Sequence, residues 1–91
     1  MRHTFHFYAD PGHAWMKVTR KELEELGIAG QVSHYSYVRG DFVYLEEDED
    51  AAIFLDACKA RFPGFAEKLR FKESYSNSSS RIRNYAGYTR I

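Results

Sequence analysis

Alternating apolar and polar residues open the chain and predict a β-strand. Between positions 3 and 9, Phe5 and Phe7 alternate with more polar residues, which is the period of a half-buried strand. Turn-forming residues end this pattern at positions 10–12, and residues 14–18 predict a short second strand. The chain therefore begins with two predicted strands joined by a turn.

Start and stop signals predict a short helix at about residues 20–26. Thr19 and Glu22 have the spacing of a capping box, and Gly27 stands where a left-handed C-terminal cap belongs. Because so short a helix is unstable on its own, its apolar residues must pack on the rest of the protein.

Two runs rich in β-branched and aromatic residues predict a hairpin. The runs are residues 32–38 and 41–46, with Arg39-Gly40 as the tight turn. Both sides of the second run carry large apolar groups, which predicts a central strand of the sheet.

An acidic run at residues 46–50 precedes a longer predicted helix at about residues 49–62. Acidic side chains stabilise the positive end of a helix, and we predict that Asp48 caps it. Pro63-Gly64 ends the helix. This structural role explains the acidic run better than the alternative interpretation, an acidic docking site.

The order of elements predicts an α+β fold in a single small domain. Residues 68–75 predict a last strand, which gives the order β-β-α-β-β-α-β-tail. We expect an antiparallel sheet of about four to five strands with two helices on one face. Residues 1–76 are predicted to form the core, with residues 77–91, rich in Ser, Arg and Tyr, as a tail packed on it. The tail either forms a short helix capped by Ser79 or Ser80 or lies as an ordered segment.

Composition narrows the classes of protein that fit this fold. The 91 residues include 13 basic and 13 acidic side chains, so net charge gives no general attraction to nucleic acid or to a membrane. Cys58 is the only cysteine, which excludes an internal disulfide. No apolar run reaches the length of a membrane span. We expect a cytoplasmic protein without an export signal or a membrane partner.

Residues with catalytic chemistry are scattered rather than clustered. Cys58 lies in the apolar stripe of the second predicted helix, where a buried thiol is inert. The spacing of His3 and His6 places them on opposite faces of a strand. We therefore predict no catalytic residue, no metal and no cofactor, and we favour a non-enzymatic protein.

The candidate binding residues are amphipathic aromatic residues and arginines. Arginine binds phosphates and carboxylates, whereas tyrosine and tryptophan stack on bases or anchor protein interfaces. The candidates are Trp15, Tyr35, Tyr37, Arg39, Arg81, Arg83, Tyr85 and Tyr88. The alternative interpretation of the tail is that Ile82 and Tyr85 attach it to the sheet while its arginines are merely solvated.

Four segments together resemble a known group of proteins. They are DPGHAW with the following KV at residues 10–18, LGI at 26–28, YSYVRGDFVYLEED at 35–48 and YSNSSSRIR at 75–83. This set resembles small proteins, without an assigned activity, that bacteriophages and other bacterial mobile elements encode. The resemblance implies an accessory role for the chain in such a setting, and it assigns no functional residues.

A second, local likeness involves residues 17–28 and the hairpin predicted after them. This stretch is similar to the AbrB-type swapped-hairpin motif, whose dimers bind DNA through basic side chains. The motif usually has proline where Thr19 stands, and its Gly-Asp turn follows the helix sooner. The chain carries Glu22, Glu24 and Glu25 in this stretch, which disfavours DNA binding by the segment.

Three functions are compatible with these patterns. The first is an accessory protein of phage type that binds a host or phage protein through surfaces rich in Tyr and Arg. The second is a nucleic-acid-binding module that uses Arg39, Arg81, Arg83 and Arg90. The third, a small hydrolase, would need His13 in a pocket with a carboxylate. A homodimer fits exposed aromatic residues and short edge strands.

Overall fold

In a computed structural model that describes residues 1–89, a six-stranded sheet carries three helices. The strands are β1 (Thr4–Ala9), β2 (Ala14–Thr19), β3 (Tyr37–Arg39), β4 (Phe42–Glu46), β5 (Arg70–Tyr75) and β6 (Ala86–Gly87). The helices are α1 (Arg20–Glu25), α2 (Asp50–Arg61) and α3 (Phe65–Lys68), with 3-10 turns at Ala29–Gln31 and Arg81–Asn84. The α+β class is confirmed, and the structure adds α3 and β6 to the predicted order.

The sheet is mixed rather than antiparallel, because β5 pairs with β1 in parallel. The strand order is β5-β1-β2-β4-β3-β6, and the other four pairings are antiparallel. After β4 the chain crosses the sheet through α2 and α3 and returns as β5 at the far edge. A helical crossover of this kind joins strands that run the same way, which corrects the expected antiparallel sheet.

The main core lies between the sheet and the helices, on what we call the helical face. The sheet contributes Phe5, Met16, Val18, Val43 and Leu45, and the three helices contribute Leu23, Ala51, Phe54, Cys58 and Phe65. All three helices therefore pack on the same face, as predicted for two of them. β4 lies between β2 and β3, which confirms the prediction of a central strand.

The first helix has the predicted caps. The Thr19 hydroxyl accepts a hydrogen bond from the Glu22 N–H at 3.1 Å, and the Glu22 carboxylate accepts one from the Thr19 N–H at 2.8 Å. Gly27 has a left-handed φ of 70°, and the Ile28 N–H donates to the Leu23 carbonyl at 3.0 Å. The capping box and the C-terminal cap are both confirmed.

Glu46, and not Asp48, caps the start of α2. Its carboxylate accepts hydrogen bonds from the backbone N–H groups of Asp48, Glu49 and Asp50. The predicted cap at Asp48 is wrong, because the last residue of β4 already brings a carboxylate to these donors. The acidic run nevertheless has a structural role at the helix start.

Residues 32–36 form a loop instead of the first half of β3. The Asp50 side chain is buried and accepts hydrogen bonds from the Ser33 N–H and from the hydroxyls of Ser33 and Ser36. Because a buried carboxylate requires such donors, the loop follows Asp50 and leaves the line of the sheet. The predicted strand is therefore shorter, and only Tyr37–Arg39 pairs with β4.

The hairpin turn lies one residue further along the chain than predicted. Arg39 pairs with Phe42 at the ends of β3 and β4, so Gly40 and Asp41 form a two-residue turn. Gly40 has a φ of 59°, a left-handed conformation that glycine adopts readily. Two-residue hairpin turns favour glycine at this position.

Residues 76–85 form a strap across the face of the sheet opposite the helices. The Ser80 hydroxyl caps the 3-10 turn of this segment by accepting a hydrogen bond from the Ile82 N–H at 3.2 Å. Ile82 packs with Trp15 and Tyr44 in a second, smaller buried cluster. The strap begins after β5 at one edge of the sheet and leads to β6, which pairs with β3 near the other edge.

Candidate functional site

The sheet face that points away from the helices, here called the open face, carries rings and cations in cross-strand rows. Paired positions in the middle row are Lys72, His6, Lys17, Tyr44 and Tyr37, running from β5 to β3. The row nearer the hairpin turn includes Arg70, Thr4, Thr19, Phe42 and Arg39. Directly opposite side chains in a sheet lie close enough to interact, so rings and cations are neighbours on this face.

Cations outnumber carboxylates among the strand positions of the open face. Lys17, Arg39, Arg70 and Lys72 lie there, whereas Glu46 is the only carboxylate at such a position within residues 1–89. The Glu46 oxygens are already engaged by the N–H groups at the start of α2. A chain with no net charge therefore presents one surface with a local excess of positive charge.

Aromatic rings on the open face are held by their neighbours. The rings of His6 and Tyr8 stack with a centroid separation of 4.2 Å and an interplanar angle of 8°. The Lys17 ammonium lies 4.0 Å from the centre of the Phe42 ring, and Phe42 is 41% exposed. A groove of about 430 Å³ runs between these residues. The rings therefore offer preformed surfaces on which a planar group can stack.

An ion pair between a buried carboxylate and a partly exposed arginine holds the strap on the sheet. The fully buried Asp10 carboxylate, in the turn between β1 and β2, accepts hydrogen bonds from Arg83 Nε at 2.6 Å and Nη2 at 2.8 Å. The Ser80 N–H donates to the same carboxylate at 2.9 Å. The bonds from Arg83, followed by the one from Ser80, hold the pKa of Asp10 far below its ordinary value. A methyl group at Gly12 would approach Arg83 Nη2 to 2.7 Å, so the guanidinium would have to shift.

Three of the predicted binding residues make contacts that stabilise the fold. Trp15 is 2% exposed and lies 5.4 Å beneath the Arg83 guanidinium. Tyr88 is buried, and its hydroxyl donates to the Ala29 carbonyl at 2.6 Å. Arg83 itself is paired with Asp10. Trp15 and Tyr88 are therefore buried within the fold, whereas Arg83 remains exposed while it pairs with Asp10.

The other predicted binding residues lie around two different grooves. Arg39, Arg81 and Tyr85 lie around the open face, where the Arg39 guanidinium is 5.1 Å from the centre of the Tyr85 ring. Tyr35 and Tyr37 line a different groove, of about 350 Å³, together with Trp15. Tyr37 links the two places, because it also lies opposite Tyr44 in the middle row of the open face.

Several residues of the open face were not predicted from the sequence. They are His6, Tyr8, Lys17, Phe42, Tyr44 and Lys72. Their alternation with core residues was a usable signal, since it identifies the side of each strand that faces away from the core. Which strands lie side by side depends on the register of distant segments. Arg90, predicted with the tail arginines, lies outside the described residues.

Groups with catalytic potential remain separated in the described part of the chain. Burial raises the pKa of the Cys58 thiol to about 11, so this thiol is protonated at neutral pH. His3 lies against the ring of Phe65 on the helical face, whereas His6 lies on the open face. His13 lines a groove beside carboxylates, but within residues 1–89 no hydrogen bond joins its ring to one of them. No group of three or more His, Cys, Asp and Glu residues in that range could hold a metal ion.

Comparison with protein families, with curated proteins and with solved structures gives no match for this chain. None of the helices formed by residues 1–89 has the length and apolar character needed to cross a membrane. The functional argument therefore rests on the geometry of the open face and of the strap.

Proposed function

We propose that this protein binds single-stranded nucleic acid on the open face of its sheet. The observation that carries the proposal is the middle row of side chains, in which Lys72, His6, Lys17, Tyr44 and Tyr37 follow one another across five strands. Proteins that bind single strands combine a cationic groove for the phosphates with rings on which bases stack. At the end of the row that the strap leaves uncovered, Lys72 and Lys17 supply cations on either side of the His6 ring, whereas Tyr44 is buried beneath the strap.

Charge distribution supports phosphates as the partner groups. Neutralising phosphates with lysine and arginine releases counterions and drives association. Lys17 and Lys72 flank His6 in the same row, and Arg39 lies in the neighbouring row. Protein interfaces, in contrast, are depleted of lysine, so a cationic sheet face fits a polyanion better than a protein surface.

Exposed rings support a single strand over a duplex. Stacking on a side chain requires the flat side of a base, which is available when the base is unpaired. Phe42, at the end of the groove, is half-exposed, and the stacked pair of His6 and Tyr8 lies beside it. Stacking is tolerant of sequence, so we expect weak sequence preference.

Fluorescence anisotropy with a short labelled oligonucleotide, measured over a range of salt concentrations, tests the proposal. The test variant combines Lys17→Gln, Lys72→Gln and Arg81→Gln on the open face and the strap. The matched control combines Lys21→Gln, Lys59→Gln and Lys68→Gln, which removes the same charge from exposed helical positions. Each lost phosphate contact should lower the slope of log affinity against log salt by about 0.7.

The expected result is weaker binding and a shallower salt slope for the open-face variant alone. Equal losses in both variants would indicate a response to net charge rather than to this surface. Wild-type binding that is insensitive to salt would exclude phosphate contacts and with them the proposal.

A protein partner is the second candidate, and a separate groove favours it. Tyr35 and Tyr37 line this groove together with the carboxylates of Asp48 and Glu49, and Tyr35 is 66% exposed. Rings beside carboxylates suit a basic segment of a host or phage protein. A pull-down from host lysate that compares wild type with a Tyr35→Ala, Asp48→Asn variant tests this candidate, and equal recovery of a partner by both proteins contradicts it.

The biological setting is part of the same proposal. An accessory protein of a phage or another mobile element, acting in the cytoplasm, would meet both kinds of partner. A homodimer would place two open faces in one particle and extend the bound strand. Sedimentation of the purified protein at several concentrations tests the dimer, and a single monomeric species throughout argues against it.

A further inference from the structure

The strap encloses a groove of about 400 Å³ against the open face. Tyr8 and Tyr44 form the sheet side of this groove, and Arg81 and Tyr85 come from the strap. Ligand sites are typically concavities of this size with a few convergent polar groups. The clamp between Asp10 and Arg83, together with the packing of Ile82, holds the strap above the sheet beside this groove.

Three phenol rings converge in this groove. The centroids of Tyr8 and Tyr44 are 6.1 Å apart, and those of Tyr44 and Tyr85 are 5.3 Å apart. Within residues 1–89, none of the three hydroxyls donates a hydrogen bond to another group of the protein. Burial, followed by the neighbouring phenols of Tyr85 and Tyr8, raises the pKa of Tyr44. The Tyr44 hydroxyl therefore keeps its proton at neutral pH and can donate it in a hydrogen bond.

Arginine side chains lie beside these hydroxyl donors, and no carboxylate of the described residues lines the groove. Arg81 lines the groove, makes no ion pair within the described residues and is exposed. Arg39 lies over the Tyr85 ring. None of the residues that line the groove is a carboxylate. A cluster of O–H donors beside guanidinium groups is suited to an oxyanion, because each contact is a charge-assisted hydrogen bond.

We propose that this groove holds one phosphate group, bound by the hydroxyls of Tyr44 and Tyr85 and by the guanidinium of Arg81. The inference rests on the proposed function, since it assigns the groove to a phosphate of the bound strand. An adjacent base would then lie over the stacked rings of His6 and Tyr8. The phosphate fixes the position of the strand and carries no sequence information.

Removing hydroxyls while keeping the rings separates this subsite from the rest of the open face. The double variant Tyr44→Phe, Tyr85→Phe should bind an oligonucleotide more weakly by about tenfold for each hydroxyl. Its salt slope should equal that of wild type, because no cation is lost. Arg81→Gln should instead lower the slope by about 0.7. Ser79→Ala removes an exposed strap hydroxyl outside the groove and serves as the control that leaves affinity unchanged.

Inorganic phosphate provides a second probe that does not depend on nucleic acid. Phosphate, compared with chloride at equal ionic strength, should raise the Tm of wild type and leave that of the double variant unchanged. Displacement of the oligonucleotide by phosphate but not by chloride would show that both occupy the same subsite. Circular dichroism spectra that match wild type establish that the double variant is folded.

The outcomes distinguish the subsite from the proposed function. If wild type and the double variant bind the oligonucleotide with equal affinity, the subsite is overturned and the open-face proposal stands. If wild type does not bind the oligonucleotide but phosphate raises its Tm, and the double variant loses this rise, the proposed function is overturned and the subsite is supported. If wild type binds neither the oligonucleotide nor phosphate, both the proposed function and the subsite are overturned.

Discussion

The two faces of the sheet use aromatic residues in opposite ways. On the helical face, Phe5, Phe54 and Phe65 are at most 1% exposed, and the centroid of Phe5 lies 5.3 Å from that of Phe54 and 6.3 Å from that of Phe65. On the open face, Tyr8 and Phe42 are partly exposed, and the Lys17 ammonium lies over the Phe42 ring. The helical face is packed with hydrocarbon except at the β5 edge, where Phe71 is 44% exposed, whereas the open face is covered only where the strap crosses it.

This difference shows that a small domain can divide its aromatic content between stability and recognition. Phenylalanine has no polar atom and is suited to complete burial. Tyrosine buries its ring but needs a partner for its hydroxyl, which makes it suitable for a surface that receives a polar ligand. The strap belongs to both roles, because it buries Trp15 and also builds a groove.

The largest expected effect comes from truncating a ring on the helical face. Phe54→Ala removes a fully buried ring and should lower the free energy of unfolding by about 3–5 kcal/mol. Phe42→Ala, on the open face, should cost less than about 1.5 kcal/mol because Phe42 is already half-exposed. Urea denaturation measures both. Similar losses in the two variants would contradict the assignment of different roles to the two faces.

A smaller effect is expected from releasing the strap. Asp10→Asn removes the charge that Arg83 pairs with, and we expect Tm to fall by about 10 °C. Asp41→Asn changes an exposed turn carboxylate and should leave Tm nearly unchanged. Differential scanning calorimetry compares the variants, and equal Tm values would show that the ion pair does not hold the strap.

The same clamp predicts how stability depends on pH. The pKa of Asp10 lies far below its ordinary value of 3.8 in the folded protein, so the folded state favours the ionised carboxylate. Its stabilisation is complete above the unfolded pKa and is lost as pH falls from about 4 toward the folded pKa. The gap in unfolding free energy between wild type and Asp10→Asn should therefore narrow between about pH 5 and pH 2. A constant gap over that range would exclude Asp10 as the cause.

A still smaller effect is expected at the turn beneath the clamp. Gly12→Ala would place a methyl group 2.7 Å from Arg83 Nη2, and displacing this guanidinium should lower Tm by about 4–8 °C. If the clash with Arg83 is the cause, Gly12→Ala should cost much less in an Arg83→Ala background. Additive losses in this double-mutant cycle would place the cause elsewhere.

The smallest effect on stability is expected where the proposed effect on binding is large. Lys17→Gln changes a half-exposed side chain on the open face and should alter the free energy of unfolding by less than about 0.5 kcal/mol. The same substitution should weaken oligonucleotide binding and reduce its salt slope. Unfolding and anisotropy measured on one preparation test both statements. A large loss of stability would place Lys17 among the structural residues.

Local sequence was sufficient wherever the interacting groups are close along the chain. Thr19 and Glu22 are three positions apart, and their reciprocal hydrogen bonds form as predicted. Gly27 also has the predicted left-handed conformation. Strand alternation identified the two sides of β1 for the same reason, since the direction of each side chain follows from the backbone of its own strand.

Tertiary structure decided what depends on distant pairs. The Asp10 and Arg83 side chains are separated by 73 positions, and the parallel pairing of β1 with β5 joins His6 to Lys72. The burial of Trp15 and the grouping of open-face cations follow from these contacts. Sequence by itself determined the class of fold, the two caps of α1 and the two faces of β1, because these depend on neighbouring residues. Only the folded chain determined the strand order, the strap and the candidate site, because each depends on which remote segments pack together most favourably.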